Sequence, residues 1–284
     1  MRYDAHIHMA LDGANWKAAL AAHQDRPRDT LIRERLAAYQ AAGVTWLRDG
    51  GDRWNVSVRA SQLAPEYGIT YRTPVFPLYA KGRYGGFIGR GFGDLAEYQA
   101  LLREVARQGG HFVKLMLSGL MDFDCYGVLT DPPMEPERIQ TLIAMAHDAG
   151  FAVMAHCNGA QTICAAIAAG VDSVEHGAYL DEATAQAMAE SGAVWVPTLS
   201  AIGNLVGDGR SPDAVLRQIL GHQMAMVRRV FELGGRIACG SDAGAYRVCH
   251  AQGLRTEVQY LRQAMGENAE LHLEESARVL QKKF

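Results

Sequence analysis

The chain has 284 residues, 49% of them hydrophobic and 21% charged, enough apolar content to bury a large core. Its 28 Lys+Arg against 31 Asp+Glu leave a net charge of −3, which supplies no basic face for nucleic acid. No apolar run approaches the roughly 20 residues that a membrane span needs, and Met1 leads into the polar "RYDAHIH" rather than a signal peptide.

A first strand is expected at "RYDAHIH". From there one pattern repeats along the chain: a helical stretch, a glycine, then a short apolar strand. "LAAYQAAG" precedes "VTWLRDG" (Gly43), "LAPEYG" precedes "ITYRTPVF" (Gly68), and "LLREVARQGG" precedes "HFVKLML" (Gly109, Gly110). "LIAMAHDAG" then precedes "FAVMAH" (Gly150), and "AAIAAG" precedes "VDSVEH" (Gly170). "AQAMAESG" precedes "AVWVPTL" (Gly192), and "RRVFELGG" precedes "RIACGSD" (Gly234, Gly235). Glycine just past a helix takes the left-handed C′ conformation at little cost. The strands are apolar on both faces, as in a parallel sheet covered by helices.

Seven such junctions and the first strand make eight strands alternating with helices. The expected architecture is therefore α/β: a (β/α)8 TIM barrel spanning residues 1–284 as a single domain, with no linker or low-complexity stretch to divide it. The glycine-rich 79–94 segment, "YAKGRYGGFIGRGFGD", falls after the third strand and is expected as a βα loop on the catalytic face. The five cysteines (Cys125, Cys157, Cys164, Cys239, Cys249) are odd in number and form no C-x-x-C pair. They read as small core hydrophobes in a reducing, cytoplasmic setting.

Active-site groups of such a barrel lie at the C-terminal ends of its strands. The first strand ends in His6-Ile7-His8, whose two imidazoles, being two apart, share a side. The fourth carries Lys114 inside an otherwise apolar run, the fifth ends in His156, the sixth in His176, and the eighth in Asp242 within "ACGSDAG". Each alone has an ordinary explanation: a hydrogen-bonded core histidine, a capping aspartate, an ion-paired or snorkelling lysine. Together they point at one mouth. Imidazole nitrogen and carboxylate oxygen suit zinc, with manganese, iron or cobalt as substitutes. His23, His111, His147, His222 and His272 fall inside helices, at the wrong strand end or outside strands, and read as structural or solvent-facing.

In order across nearly the whole chain, "AHIH", "FVKLMLSG", "VMAHCNG", "SVEHG" and "GSDAG" resemble the amidohydrolase superfamily of metal-dependent hydrolases. The stretch from Gly110 to Leu199, with "EHGAYLDEATAQAMAESGAVWVPTL", looks most like its imidazolonepropionase-related branch, which includes Xaa-Pro and Xaa-Arg/Lys dipeptidases. The resemblance implies a binuclear centre of two divalent ions, Zn2+ first among the candidates. His6, His8 and Asp242 would hold the more buried ion and His156 and His176 the second. Lys114 would bridge them as a carbamate formed with CO2, a reaction that needs the neutral amine that burial favours. The implied activity is hydrolysis of an amide-type C–N bond in a small peptide or cyclic amide, with Asp242 as general acid/base.

Two departures qualify the resemblance. The small β-sandwich that many relatives build before the first strand and after the eighth has no counterpart in this sequence, and "SGLMDFDC" lacks the double glycine of many dipeptidases. The alternatives are lactone or phosphoester hydrolysis by the same centre, or a non-catalytic metal- or ligand-binding barrel. By position, Tyr84, Arg90, Thr198, Arg247 and His250 are candidate substrate contacts. The expected partner is a small-molecule substrate rather than nucleic acid or membrane, and self-association into a homo-oligomer is compatible with the sequence.

Overall fold

Ten strands, every paired neighbour parallel, alternate with eleven α-helices in a computed structural model that describes residues 1–284. The strands are β1 (Tyr3–Ile7), β2 (Trp46–Asp49), β3 (Thr70–Arg72), β4 (Pro77–Ala80), β5 (Arg90–Phe92), β6 (Val113–Met116), β7 (Val153–Cys157), β8 (Ser173–His176), β9 (Val194–Val196) and β10 (Arg236–Ile237). They pair as β1-β2-β3 and as β10-β9-β8-β7-β6-β4-β5.

Two seams join these runs into a ring. At the first, the Ala5 N–H donates to Cys239 O (3.0 Å), Asp242 N–H to His6 O (2.8 Å) and His8 N–H to Ala243 O (2.7 Å). The chain beyond β10 thus continues alongside β1. At the second, β3 and β4 are halves of one strand, interrupted over 73–76 where Val75 has φ 69°. The interruption is bonded to both neighbours: Asp52 N–H donates to Val75 O (3.0 Å) and His111 N–H to Thr73 O (2.9 Å). The result is the (β/α)8 barrel, with β3 and β4 sharing one place in it.

The helices are α1 (Trp16–Ala21), α2 (Asp29–Ala41), α3 (Val56–Leu63), α4 (Leu95–Arg107), α5 (Pro136–Asp148), α6 (Ala160–Ala168), α7 (Glu182–Glu190), α8 (Ser200–Gly203), α9 (Asp213–Glu232), α10 (Gln252–Met265) and α11 (Ala269–Lys283). Gly43, Gly68, Gly109, Gly150, Gly170 and Gly234 all have φ between +67° and +83°, the conformation that the repeated junction requires. Gly192 differs. There α7 is closed by Ser191 in an extended conformation, so no left-handed residue is needed.

One cluster of 70 buried hydrophobic residues runs from Tyr3 to Phe284. The glycine-rich loop also differs from expectation, because it contains the extra strand β5, which pairs with the outer side of β4. Phe92 anchors it, 1% exposed and with its ring 4.9 Å from that of Tyr98 on α4. All five cysteines are free, but only Cys157 and Cys239 are the expected core residues; Cys125, Cys164 and Cys249 are exposed. No helix is long and apolar enough to cross a membrane.

Candidate metal centre

The seam between β1 and the segment after β10 builds the tightest cluster of donors. Ligand atoms of His6, His8 and Asp242 lie within 4.8 Å of one another. The Nε2 atoms of His6 and His8 are 3.3 Å apart, and Asp242 Oδ1 is 3.5 Å from the first and 3.3 Å from the second. Two glycines make this closeness sterically feasible. A Cβ on Gly50, just past β2, would sit 2.3 Å from the His8 ring, and one on Gly240 would meet His6 Cβ and N at 2.9 Å.

The other histidines adjoin this group. The His176 ring centroid is 5.0 Å from that of His6 and 4.6 Å from that of His156. Hydrogen bonds decide which nitrogen of each ring remains for another partner. His6 Nδ1 meets Glu175 Oε2 at 2.7 Å, and His176 Nδ1 meets Thr198 Oγ1 at 2.7 Å, so each leaves Nε2. His156 does the reverse: its Nε2 meets Gly119 O at 3.1 Å, which leaves Nδ1. Burial, reinforced by the nearby Lys114 charge, pushes His156 down to about 3 and holds His6 well below its usual value. Burial and the neighbouring histidines do the same to His176. These rings are therefore neutral near pH 7, the form that ligates metal.

Lys114 lies on β6, 1% exposed, and its Nζ has no hydrogen-bond partner. The obvious counter-ion, Glu175, is occupied: Oε2 by His6, Oε1 by Arg48 Nη2 (2.8 Å) and the Ser173 hydroxyl (2.6 Å). Burial lowers the lysine to about 8, with Glu175 opposing the shift. An ordinary ion pair therefore does not account for this lysine. Burial pushes the Asp242 carboxyl up, but the His8 hydrogen bond and the charges of His6, His8 and Lys114 outweigh it and hold it below the usual range. A buried amine without a partner, the orphaned Nδ1 of His8 and three convergent donors fit a bound cation.

The substrate-contact candidates divide. Tyr84 reaches the site: its ring centroid is 5.0 Å from that of His156, and its backbone N–H donates to Asp131 (2.6 Å). Burial, with the nearby Asp242 charge, raises its phenol, which stays a neutral donor. From Tyr84 an aromatic series continues outward through Phe87 to Trp16, with 5.7 Å between centroids at each step. Thr198 is buried and bonded to His176. Arg247 is exposed on the loop after β10. Arg90 and His250 contact other parts of the fold. The Arg90 guanidinium stacks on Phe76 and approaches Glu104, and His250 bonds Leu11 O and Tyr39 between the first loop and α2. Of the histidines read as structural, His147 pairs with Asp172 and His222 bonds Leu180 O.

Sequence reasoning overlooked Glu175, Arg48 and Asn158. Asn158 ties three loops together: its side-chain amide donates to Gly119 O (3.1 Å) and accepts from Ala178 N–H (3.0 Å), and its backbone N–H donates to Ser118 Oγ (2.8 Å). Glu175 in "SVEH" and Arg48 in "TWLRDG" carried the signal that singled out Lys114, a charge inside an apolar strand.

The sequence matches the Amidohydrolase family profile over residues 68–280, which includes Lys114, His156, His176 and Asp242. An uncharacterised protein of Mycobacterium tuberculosis is 32% identical over 158 residues, 54% of this chain and 42% of that protein. Ochratoxinase of Aspergillus niger is 30% identical over 157 residues, 51% of this chain and 31% of the enzyme. The aligned stretch thus spans less than half the length of either relative. Among solved structures, a Xaa-Pro dipeptidase with methionine bound in its active site superposes with a TM-score of 0.76 at 20% identity, over 99% of this chain and 75% of that one. The A. niger ochratoxinase structure gives 0.76 at 20% identity, over 95% and 68%. At these identities the structural likeness concerns the fold.

Proposed function

The chain belongs to the amidohydrolase family, and from that premise we propose that it hydrolyses an amide-type C–N bond in a small peptide or cyclic amide, using divalent metal held at the barrel mouth. The observation that carries the reading is the convergence of His6, His8 and Asp242 beside a buried lysine with no partner. His6, His8 and Asp242 would hold one ion, and His156 through Nδ1 and His176 through Nε2 a second. Ions bound there, most simply Zn2+, would supply a water that ionises near neutral pH and an electrophile for the scissile carbonyl.

The chain's own groups do the rest. Asp242 faces both histidines through Oδ1, which leaves its other oxygen to take the proton from the attacking water and return it to the leaving nitrogen. Lys114, lowered to about 8 by burial, gives up its proton more readily than an ordinary lysine, and its neutral amine would add to CO2 with loss of a proton, which would supply an anionic carbamate as a further ligand for bound metal. Tyr84, beside His156, donates a hydrogen bond to the substrate. Thr198 acts on the substrate only through His176. The same proposal covers residues 1–284 as one catalytic unit, and the five free thiols support a reducing, cytoplasmic setting.

The test is a panel of dipeptides, N-acyl amino acids, hydantoin-like cyclic amides, lactones and phosphotriesters, assayed before and after chelation and again with added Zn2+. Amide turnover that disappears with chelator and returns with zinc is expected. Chelator-insensitive turnover would overturn the metal, and turnover confined to lactones or phosphotriesters would overturn the amide.

A further inference from the structure

Beneath His6 lies a buried polar column that the proposed reaction does not use. Glu175 and Arg48 are both wholly buried in the barrel interior, on β8 and β2. Glu175 accepts at Oε2 from His6 Nδ1 (2.7 Å) and at Oε1 from Arg48 Nη2 (2.8 Å) and Ser173 Oγ (2.6 Å). Arg48 also donates through Nη1 to Ser173 Oγ (2.8 Å) and through Nε to Ala5 O (2.8 Å), the residue before His6. On its far side the guanidinium lies 4.4 Å from the Phe284 ring centroid. Every oxygen of the carboxylate is thus spoken for, and the residue cannot rotate without breaking three contacts.

We propose that Glu175, braced by Arg48, is a positioning residue that fixes His6 with hydrogen on Nδ1 and with Nε2 aimed at the metal. With Oε1 held by the Arg48 guanidinium and Ser173, the paired carboxylate offers Oε2 to His6 only as an acceptor, so the ring hydrogen at that contact belongs to Nδ1. Nε2 is then the atom left facing His8 Nε2 and Asp242 Oδ1. The inference rests on the metallohydrolase reading for its purpose, though not for its geometry. An ion pair serving only to fasten strands would have no need of the histidine.

The two roles separate in a double variant. Arg48→Met with Glu175→Leu removes both charges together, which buried ion pairs tolerate far better than loss of one partner. Zinc affinity is read by chelator competition on the full chain, alongside melting of the metal-free protein. A folded double variant should bind zinc about tenfold to 100-fold more weakly than wild type. Arg48→Met with Glu175→Gln, which keeps an acceptor for Nδ1, should lose less. Binding by the folded Leu variant within about threefold of wild type would overturn the proposal.

Nitrogen NMR of histidine-labelled wild type provides a readout independent of folding of the variants: His6 should show Nδ1–H, and a proton on Nε2 instead would equally overturn it. Wild type that binds no zinc would defeat the metallohydrolase reading, while the His6 spectrum would still decide the tautomer.

Discussion

The two ends of the barrel solve the same problem, a chain leaving one element for the next, with different residues. At the floor, where helices lead into strands, the left-handed positions are glycines with empty space around them. A Cβ added to Gly43, Gly109, Gly150 or Gly234 would meet nothing within 4 Å. Only the backbone conformation asks for glycine there. At the mouth, His176 (φ 65°), Thr198 (φ 50°) and Asp242 (φ 59°) hold the same region with full side chains. Left-handed backbone costs an ordinary residue about 1–2 kcal/mol, so packing must support it where the side chain is wanted. The floor is therefore built from local ease, and the mouth from tolerated strain.

The most severe test of this contrast is Asp242→Asn. Asparagine accepts the left-handed conformation, so the backbone should hold while the proton acceptor is lost. Turnover should fall roughly 10²–10⁴-fold with the melting temperature nearly unchanged. Near wild-type turnover with metal bound would remove Asp242 from its acid–base role. Next comes a matched pair of glycine substitutions. Gly50→Ala places a methyl 2.3 Å from the His8 ring and should weaken zinc binding by about tenfold or more. Gly43→Ala should cost only about 1–2 kcal/mol of stability and leave zinc affinity alone. Equal effects of the two on zinc binding would erase the distinction between the ends.

Thr198→Val removes the hydrogen bond to His176 Nδ1 while conserving shape. Zinc affinity should drop by roughly tenfold, and titration of the metal-free variant is the measurement. The last test leaves zinc aside and reads a pH slope in stability. Glu257 on α10 accepts from the Leu199 and Ser200 N–H groups behind the mouth, and burial pushes its carboxyl up to about 7 from the usual 4.5. Between those values the folded chain keeps a proton that the unfolded chain releases, so this group's contribution to stability falls as pH rises from 4.5 to 7. His250 acts in the opposite sense: burial lowers it to about 3 from 6.5, so its contribution is present above 6.5 and is lost as pH falls toward 3. Comparing urea midpoints of wild type and Glu257→Gln at pH 5 and 8 should show the variant gaining up to ~3 kcal/mol relative to wild type at the higher pH. Parallel curves would mean that Glu257 is not the group responsible.

Much of this was legible along the chain because it is encoded locally. The helix–glycine–strand junctions are short-range patterns, and a barrel of alternating elements follows from their repetition. The strand positions of His6, Lys114, His156 and His176 could be read for the same reason, whereas Asp242 stands beyond the two-residue β10, on the segment that continues alongside β1. The places where that reading diverged are also local in origin. Gly192 looked like the other junction glycines, and the sequence around Arg90 carried no sign of a ninth place beside β4.

What only the tertiary structure decided is the identity of partners distant in sequence. His6 meets Glu175, Arg48 meets Ala5 O, and His176 meets Thr198 only once the ring of strands has closed. Those contacts select the free nitrogen of each imidazole, leave the Lys114 amine without a counter-ion, and separate Tyr84 at the site from Arg90 and His250 away from it. The amino-acid sequence by itself determined which donors exist and which strand or following segment carries each. Their orientation came from closure, because a hydrogen bond depends on angle and distance between groups that local pattern never brings together.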